Sequence, residues 1–287
     1  MLDYAAPSTV EEAVRILAGA AGTAKVLAGG TDLLVQLRSG RARPGLIVDI
    51  KKIPDISGIR ERDDGFVIGA STPSAVIGES KALQRAWPGV VEAANLIGST
   101  QVQGRASLAG NLCNASPAAD SVPALIAARA TCVVAGPNGQ REVAVESIAT
   151  GPGRTSLSPG EFILAFHLPK RPPRSADAYL RFIPRTEMDI AVVGAAVSLT
   201  LDAGGVCTDA RVVLGAVAPT AILVPEAAAL VGRKLDETAL AGLDQAARRA
   251  CKPIDDKRGT IEYRTKVAGV LARRTATIAY ERAGERR

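Results

Sequence analysis

A strand, a glycine turn and a helix in immediate succession constrain the N-terminal part of this chain more than any other feature. Lys25-Val26-Leu27-Ala28 is a short apolar run that reads as a buried strand. Gly29 and Gly30 follow, and Leu33-Leu34-Val35-Gln36-Leu37-Arg38 has the composition of a short helix. Adjacent glycines accept positive φ and carry no Cβ, so peptide N–H groups at the turn can point straight at an anion. Thr31 or Asp32 is a candidate cap for the helix, whose start adds partial positive charge favourable to a phosphate. Neither the Gly-x-Gly-x-x-Gly dinucleotide pattern nor the Gly-x-x-x-x-Gly-Lys-Ser/Thr phosphate loop is present. Taken alone, the segment also reads as an ordinary tight turn with a capping or bulge role.

About eighty residues on comes a second loop, Ser107-Leu108-Ala109-Gly110-Asn111-Leu112-Cys113-Asn114-Ala115-Ser116-Pro117-Ala118-Ala119-Asp120. Ser107, Asn111, Asn114, Ser116 and Asp120 supply hydroxyl, amide and carboxylate partners, interrupted by Gly110 and Pro117. Such a stretch suits a hydroxyl-rich ligand, because each ribose or ribityl hydroxyl needs both a donor and an acceptor. The alternative is a polar loop that caps the following helix, Ser121–Ala128, with Asp120 as N-cap and Pro123 in the first turn. Together the two loops read as a site for a phosphate-bearing cofactor.

Around them the chain alternates helix and strand signals. Ser8-Thr9-Val10-Glu11-Glu12 carries overlapping capping boxes, and Val10, Ala13, Val14 and Leu17 recur at helical spacing, so a helix is expected to end near Gly19. A strand at Leu46–Ile50 completes a small α/β unit. Phe66–Gly69 reads as a strand, followed by helices at Pro73–Ile77, with Ser71 or Thr72 as cap, and around Val90–Ile97. Strands are expected near Thr131–Ala135, Glu142–Val145 and Phe162–Leu168. Without regular βαβ alternation, this half is α+β.

Pro169-Lys170-Arg171-Pro172-Pro173-Arg174 marks a domain junction, since three prolines and three charges cannot continue a sheet interior. Beyond it, Ala178–Ile183, Val192–Leu201 and Val206–Leu214 read as three strands, the last two joined by an Asp202-Ala203-Gly204-Gly205 turn. Helices follow at about Glu237–Ala250 and Ile261–Arg282. A length of 287 residues suits roughly two domains of about 150 residues.

Composition narrows the function. Aromatic residues at 3% argue against recognition of single-stranded nucleic acid by stacking. The net charge of +6 is spread along the chain and reads as a solvated basic surface or as docking to an acidic partner subunit. Cys113, Cys132, Cys207 and Cys251 are far apart, which speaks against disulfide or zinc frameworks and for a reducing cytoplasm. Met1-Leu2-Asp3-Tyr4 lacks the basic segment and apolar core of a signal peptide, and no apolar run approaches about 18 residues, so no membrane span is expected. His167, the one histidine, sits in an expected strand and reads as structural; Asp255 and Asp256, beside Lys257 and Arg258, read as a helix entry or a solvated pair. Poised acid–base or nucleophilic groups are scarce, as suits a protein whose bound cofactor carries the chemistry.

These residues resemble the FAD-binding medium subunits of molybdenum hydroxylases, the family that includes xanthine dehydrogenase and carbon monoxide dehydrogenase. Both loops match in order and separation. Arg185-Thr186-Glu187-Met188-Asp189-Ile190-Ala191 resembles the family's Asp-Ile-Ala stretch. Leu214-Gly215-Ala216-Val217-Ala218-Pro219-Thr220 and the run from Pro253 to Arg264 resemble its C-terminal signatures. Ala109 departs from the family's usual Gly-Gly-Asn, and an alanine that restricts positive φ permits a changed loop path without requiring loss of binding. The resemblance implies an α+β chain. Residues 1–175 would form a two-part FAD-binding domain of the vanillyl-alcohol-oxidase/PCMH type, with subdomains about 1–55 and 56–175. Residues 176–287 would form a smaller C-terminal domain with a three-stranded antiparallel sheet and helices. It further implies that Val26, Leu27, Ala28, Gly29, Gly30, Thr31, Asp32 and Leu33 line the FAD pyrophosphate, completed by Ser107, Gly110 and Asn111. Asp120 would accept hydrogen bonds from ribose or ribityl hydroxyls. Ile163 would meet the cofactor through its backbone, Arg181 would approach the flavin's polar edge, and Ile190 would pack on the isoalloxazine ring. Catalytic and metal residues would be absent from this chain. The implied partners are a small iron–sulphur subunit and a large molybdopterin subunit, in a dimer of heterotrimers. Electrons would pass through FAD to an external acceptor. A self-contained flavin oxidoreductase and a non-catalytic adaptor that has lost FAD are the competing readings.

Overall fold

The computed structural model describes residues 2–286 and distributes them over a small parallel sheet, a five-stranded antiparallel sheet with its helices, and a four-stranded antiparallel sheet backed by two long helices. The first unit runs β1 (Asp3–Ala5), α1 (Val10–Gly19), β2 (Ala24–Leu27), α2 (Leu33–Arg38) and β3 (Leu46–Asp49). β3 lies centrally, parallel to both β1 and β2, which places the turns after the strands along one edge. Thr9 caps α1 by accepting the Glu12 N–H at 3.1 Å, while the Glu12 carboxylate reaches back to the Ser8 N–H at 2.9 Å. α1 then buries Ala13 and Leu17, the apolar stripe expected from its spacing.

The second unit begins with β4 (Ile59–Arg62) and β5 (Gly65–Gly69), followed by α3 (Ser74–Glu79), α4 (Lys81–Ala86), α5 (Pro88–Asn95), α6 (Thr100–Gln103), α7 (Leu108–Cys113) and α8 (Ser121–Ala127). It closes with β6 (Thr131–Gly136), β7 (Gly139–Ala144), a small ribbon of β8 (Ala149–Gly151) and β9 (Arg154–Thr155), and β10 (Phe162–Pro169). The sheet order β4-β5-β10-β6-β7 sets β10 in the middle.

Two local expectations are corrected here. Neither Ser71 nor Thr72 caps α3, because Pro73 takes the cap position and the Thr72 hydroxyl is committed to the Gly69 carbonyl at 2.7 Å and the Gly58 N–H at 2.9 Å. The second glycine loop is half helix. Ser107 accepts the Gly110 N–H at 3.2 Å and starts α7, whose Leu108 and Leu112 lie one turn apart on the buried face.

The C-terminal unit comprises β11 (Ser175–Phe182), β12 (Val193–Leu201), β13 (Cys207–Gly215), β14 (Ile222–Leu223), α9 (Glu237–Ala250) and α10 (Ile261–Glu285). Its sheet has four strands rather than the expected three, because Ile222 and Leu223 pair with Leu214 and Val213. Two residues are too few to show the alternation that announces a strand. Side chains alternate across this sheet. Tyr179, Ala196 and Val213 join the core of the second unit, whereas Ala178, Val197, Val212 and Leu214 face the core under α9 and α10. On the second face, Ala268, Ala272, Ala276, Ala279 and Ala283 form a small-residue stripe that lets α10 lie close on β11 and β12. The wholly buried α8 packs on β12 and β13 from the other side. Arg171 adds a polar joint, stacking 4.0 Å above the Trp87 ring and donating to Asp177 at 2.6 Å.

Candidate functional site

The two glycine loops meet across a cavity of about 470 Å³, within the range of small-molecule sites. Its first wall is the turn from β2 into α2, comprising Val26, Ala28, Gly29, Gly30, Thr31, Asp32 and Leu33. Gly29 is required by proximity: a Cβ there would stand 1.9 Å from the Arg105 carbonyl oxygen. Gly30 is required by conformation, with φ at +81°. Lys51 donates to the Ala28 carbonyl at 3.2 Å and to Asp49 at 2.6 Å, so the turn's first carbonyl is anchored. Among the described residues, the N–H groups of Gly30, Thr31, Asp32 and Leu33 donate to no backbone carbonyl. Four free donors in a row are what an anion can use. The expected side-chain cap is not formed, since Asp32 occupies the cap position of α2 in αR backbone with no cap hydrogen bond. Burial raises its carboxyl above the ordinary carboxylate value.

Facing this turn, Ala106, Ser107, Ala109, Gly110 and Asn111 form the second wall. Ala109 sits inside right-handed α7 and its methyl group is buried, so this position asks for no positive φ. Asn111 Oδ1 accepts from both the N–H of Ser121 at 3.1 Å and its hydroxyl at 2.7 Å, which anchors α7 to the start of α8. Gln36 of α2 donates to Asn114 at 2.8 Å and ties the two walls together. A third wall, of which the resemblance implied Ile163 alone, runs from Leu157 to Ile163 and ends on β10. Glu161 on it is engaged by Arg141 at 2.7 and 2.9 Å, leaving Lys25 as the cation of the lining. Cys113 also lines the cavity, with its thiol pushed up to about 12 by burial and therefore protonated and unreactive.

Of the residues expected at the site, the structure gathers Val26, Ala28 to Leu33, Ser107, Gly110, Asn111 and Ile163 around this cavity. Leu27, Asp120, Arg181 and Ile190 lie outside its lining. Asp120 is no side-chain cap of α8. Its carboxylate accepts from Arg181 Nη1 at 2.8 Å and from the Tyr179 hydroxyl at 3.2 Å, in a pair whose side chains are 9% and 4% exposed. Burial pushes the Asp120 carboxyl up to about 6, against the lowering influence of Arg181 and Tyr179. The pair connects to the lining only through neighbouring residues. Arg181 also donates to the Leu96 carbonyl at 2.7 Å, one residue before the lining Ile97, and Asp120 precedes the Ser121 that holds Asn111. Ile190 is half-exposed on the loop between β11 and β12, where Arg185 and Asp189 pair at 2.9 Å. Lys51, Gln36 and the third wall before Ile163 escape sequence reading because each reaches the site through tertiary packing. At the C-terminal entry, Asp255 accepts the Ile261 N–H at 2.6 Å, which makes it a helix-entry residue.

No helix among the described residues is long and apolar enough to cross a membrane, and no cluster of three or more His, Cys, Asp or Glu suited to a metal is found among them. Residues 1–171 match the family profile described as the FAD binding domain in molybdopterin dehydrogenase, and residues 178–279 match the CO dehydrogenase flavoprotein C-terminal domain. The chain is 33% identical to the carbon monoxide dehydrogenase medium chain of Hydrogenophaga pseudoflava, over 98% of this chain and 97% of that one. It is 31% identical to the xanthine dehydrogenase FAD-binding subunit of Escherichia coli O157:H7, over 99% of each. A solved chain of reconstituted CO dehydrogenase from Oligotropha carboxidovorans superposes with a TM-score of 0.94 at 35% identity, covering 98% of both. The order of glycine turn, capped α7 and α10-backed sheet, together with these matches over nearly the whole length, shows that the chain belongs to the FAD-binding family of molybdopterin dehydrogenases and carries the CO dehydrogenase flavoprotein C-terminal domain.

Proposed function

We propose that this chain is the FAD-carrying oxidoreductase subunit of a multi-subunit molybdenum hydroxylase. The observation that carries the reading is the cavity between the two loops, where backbone already fills the space a Gly29 side chain would need and consecutive N–H groups have no backbone partner. The donor set fits a dinucleotide diphosphate: backbone amides from Gly30 to Leu33, the Ser107 and Thr31 hydroxyls, the Asn111 amide and the Lys25 ammonium. Val26, Ala28 and Ile163 supply the apolar share of the lining. Bound FAD supplies the electron-transfer chemistry; the residues bind it, orient it and set its surroundings. Leu27 shapes the turn from behind, its Cδ1 standing 2.9 Å from where a Gly30 Cβ would be. The Asp120–Arg181 pair, tied through Ser121 to Asn111 and through Leu96 to the neighbouring Ile97, would meet a cofactor hydroxyl or the flavin's polar edge, and Ile190 would pack on the flavin ring, as the family resemblance implies.

In this account residues 1–175 form the FAD-binding domain and 176–287 the C-terminal domain. A small subunit with iron–sulphur clusters delivers electrons drawn from a large molybdopterin subunit, in a cytoplasmic dimer of heterotrimers, and FAD passes them to an external acceptor. The relatives' names, medium chain and FAD-binding subunit, support this assembly over a self-contained flavin enzyme. The adaptor reading was prompted by Ala109, which sits comfortably in α7. Native protein purified from its source should show flavin absorption in the visible and release one FAD per chain on denaturation. Colourless protein that releases none sinks the proposal.

A further inference from the structure

α2 is anomalous in its burial. Leu33, Leu34, Val35 and Leu37 make it largely apolar, yet none of its six residues is buried; Val35 is 62% exposed and Leu34 47%. A helix this short is marginal in water without tertiary cover, and an apolar helix face ordinarily lies against something. α2 ends on Arg38 and the turn that follows carries Arg41 and Arg43; all three are exposed, and none of them forms an ion pair among the described residues. From Leu33 to Val48 the sequence holds no carboxylate, so the local field is cationic and uncompensated. Other arginines do find partners, as Arg141 does in Glu161 and Arg273 in Glu237, so three unpaired ones beside an apolar helix face leave this patch without internal neutralisation. The surface begins at the cavity itself, because Leu33 and Gln36 line it from the same helix.

We propose that the outward face of α2 with Arg38, Arg41 and Arg43 is the docking surface for the electron-delivering partner subunit, which presents an apolar patch rimmed by carboxylates. The proposal rests on the functional reading above. Charge complementarity specifies the rim, and the uncovered Leu34 and Val35 specify the centre. A partner seated here abuts the wall of the cavity that Leu33 and Gln36 form. A lipid surface is the poorer fit, since six helical residues bury little apolar area in a headgroup layer.

The test uses the complex, isolated through a tag on this chain and assayed for native mass, iron and FAD. Val35→Asp and the triple charge reversal Arg38→Glu, Arg41→Glu, Arg43→Glu are expected to retain FAD and cooperative unfolding. Each should lose most of its iron and partner mass, with association slowed roughly tenfold in the triple variant and slowed by salt in the wild type. Amide exchange across residues 33–43 should be slower in the complex than in the full chain alone, a readout that stands even where a variant fails to fold. Full iron and partner mass in both folded variants, or equal exchange with and without the partner, overturns the proposal. It is equally overturned if the chain sediments with phosphatidylserine vesicles through these arginines while partner retention is unaffected. A wild-type chain that assembles but holds no FAD fails the functional reading and leaves the docking surface standing.

Discussion

Gly29 and Ala109 show how one methyl group decides a site. At Gly29 the opposing loop has moved into the space of the missing side chain, so the glycine is a requirement of close approach. At Ala109 the methyl is absorbed into the core beneath α7, so the departure from the family pattern alters the sequence of the loop and not the demand on its backbone. Asp120 is the residue whose role was least readable in advance. Both a helix cap and a hydroxyl acceptor were open to it, and the structure gives its carboxylate to Arg181 and Tyr179. Its folded pKa of about 6 lies above the ordinary 3.8, so the folded chain holds this proton more tightly than the unfolded one. That contribution to stability is complete below the unfolded value and is lost as pH rises through about 6. Urea midpoints of the wild type and of Asp120→Asn, compared between about pH 4 and pH 7, should therefore diverge, the wild type losing ground as pH rises. Parallel curves would show that Asp120 titrates normally.

At the scale of elements, α10 is held by one buried side chain. Arg264 donates to the Val192 carbonyl at 2.8 Å, the Ala216 carbonyl at 3.3 Å and Asp256 at 2.6 Å, pinning the start of the helix to the end of the sheet where β12 begins and β13 ends. Replacing Arg264 with Met keeps the stem's volume but strands two carbonyls and a carboxylate, at a cost of about 3 kcal/mol in chemical denaturation. A loss under about 0.5 kcal/mol would show that α10 is secured by its alanine stripe alone. Most long elements were legible from sequence because their signals are local. Thr9 with Glu12, the alternation of β11 to β13 and the alanine spacing of α10 each need only neighbouring residues. The misses share a different cause. β14 is two residues long, α7 hides in a segment rich in turn formers, and Thr72 is drawn from its cap by the distant Gly58. Within the site, the turn from Val26 to Leu33 could be read from composition. Lys51, Gln36 and the wall from Leu157 to Phe162 could not, because only packing brings them there, and Ile163 was reached only through the family resemblance.

At the scale of the molecule, three units share two cores, and the cavity lies where the first unit meets the second. The C-terminal sheet contributes to both cores through alternate faces, and the Arg171–Trp87–Asp177 joint fastens it to α5. The cavity's shape is thus fixed by the packing of whole units, which explains how backbone groups alone can form much of a binding surface. The claim on which the account turns is that this cavity holds FAD. Equilibrium titration of the full chain, stripped of flavin, with FAD tests it most directly. Saturable binding at one FAD per chain is predicted, weakened by roughly a hundredfold, about 2.8 kcal/mol, in a folded Gly29→Ala variant. Absence of saturable binding, or an affinity indifferent to Gly29→Ala, would contradict it.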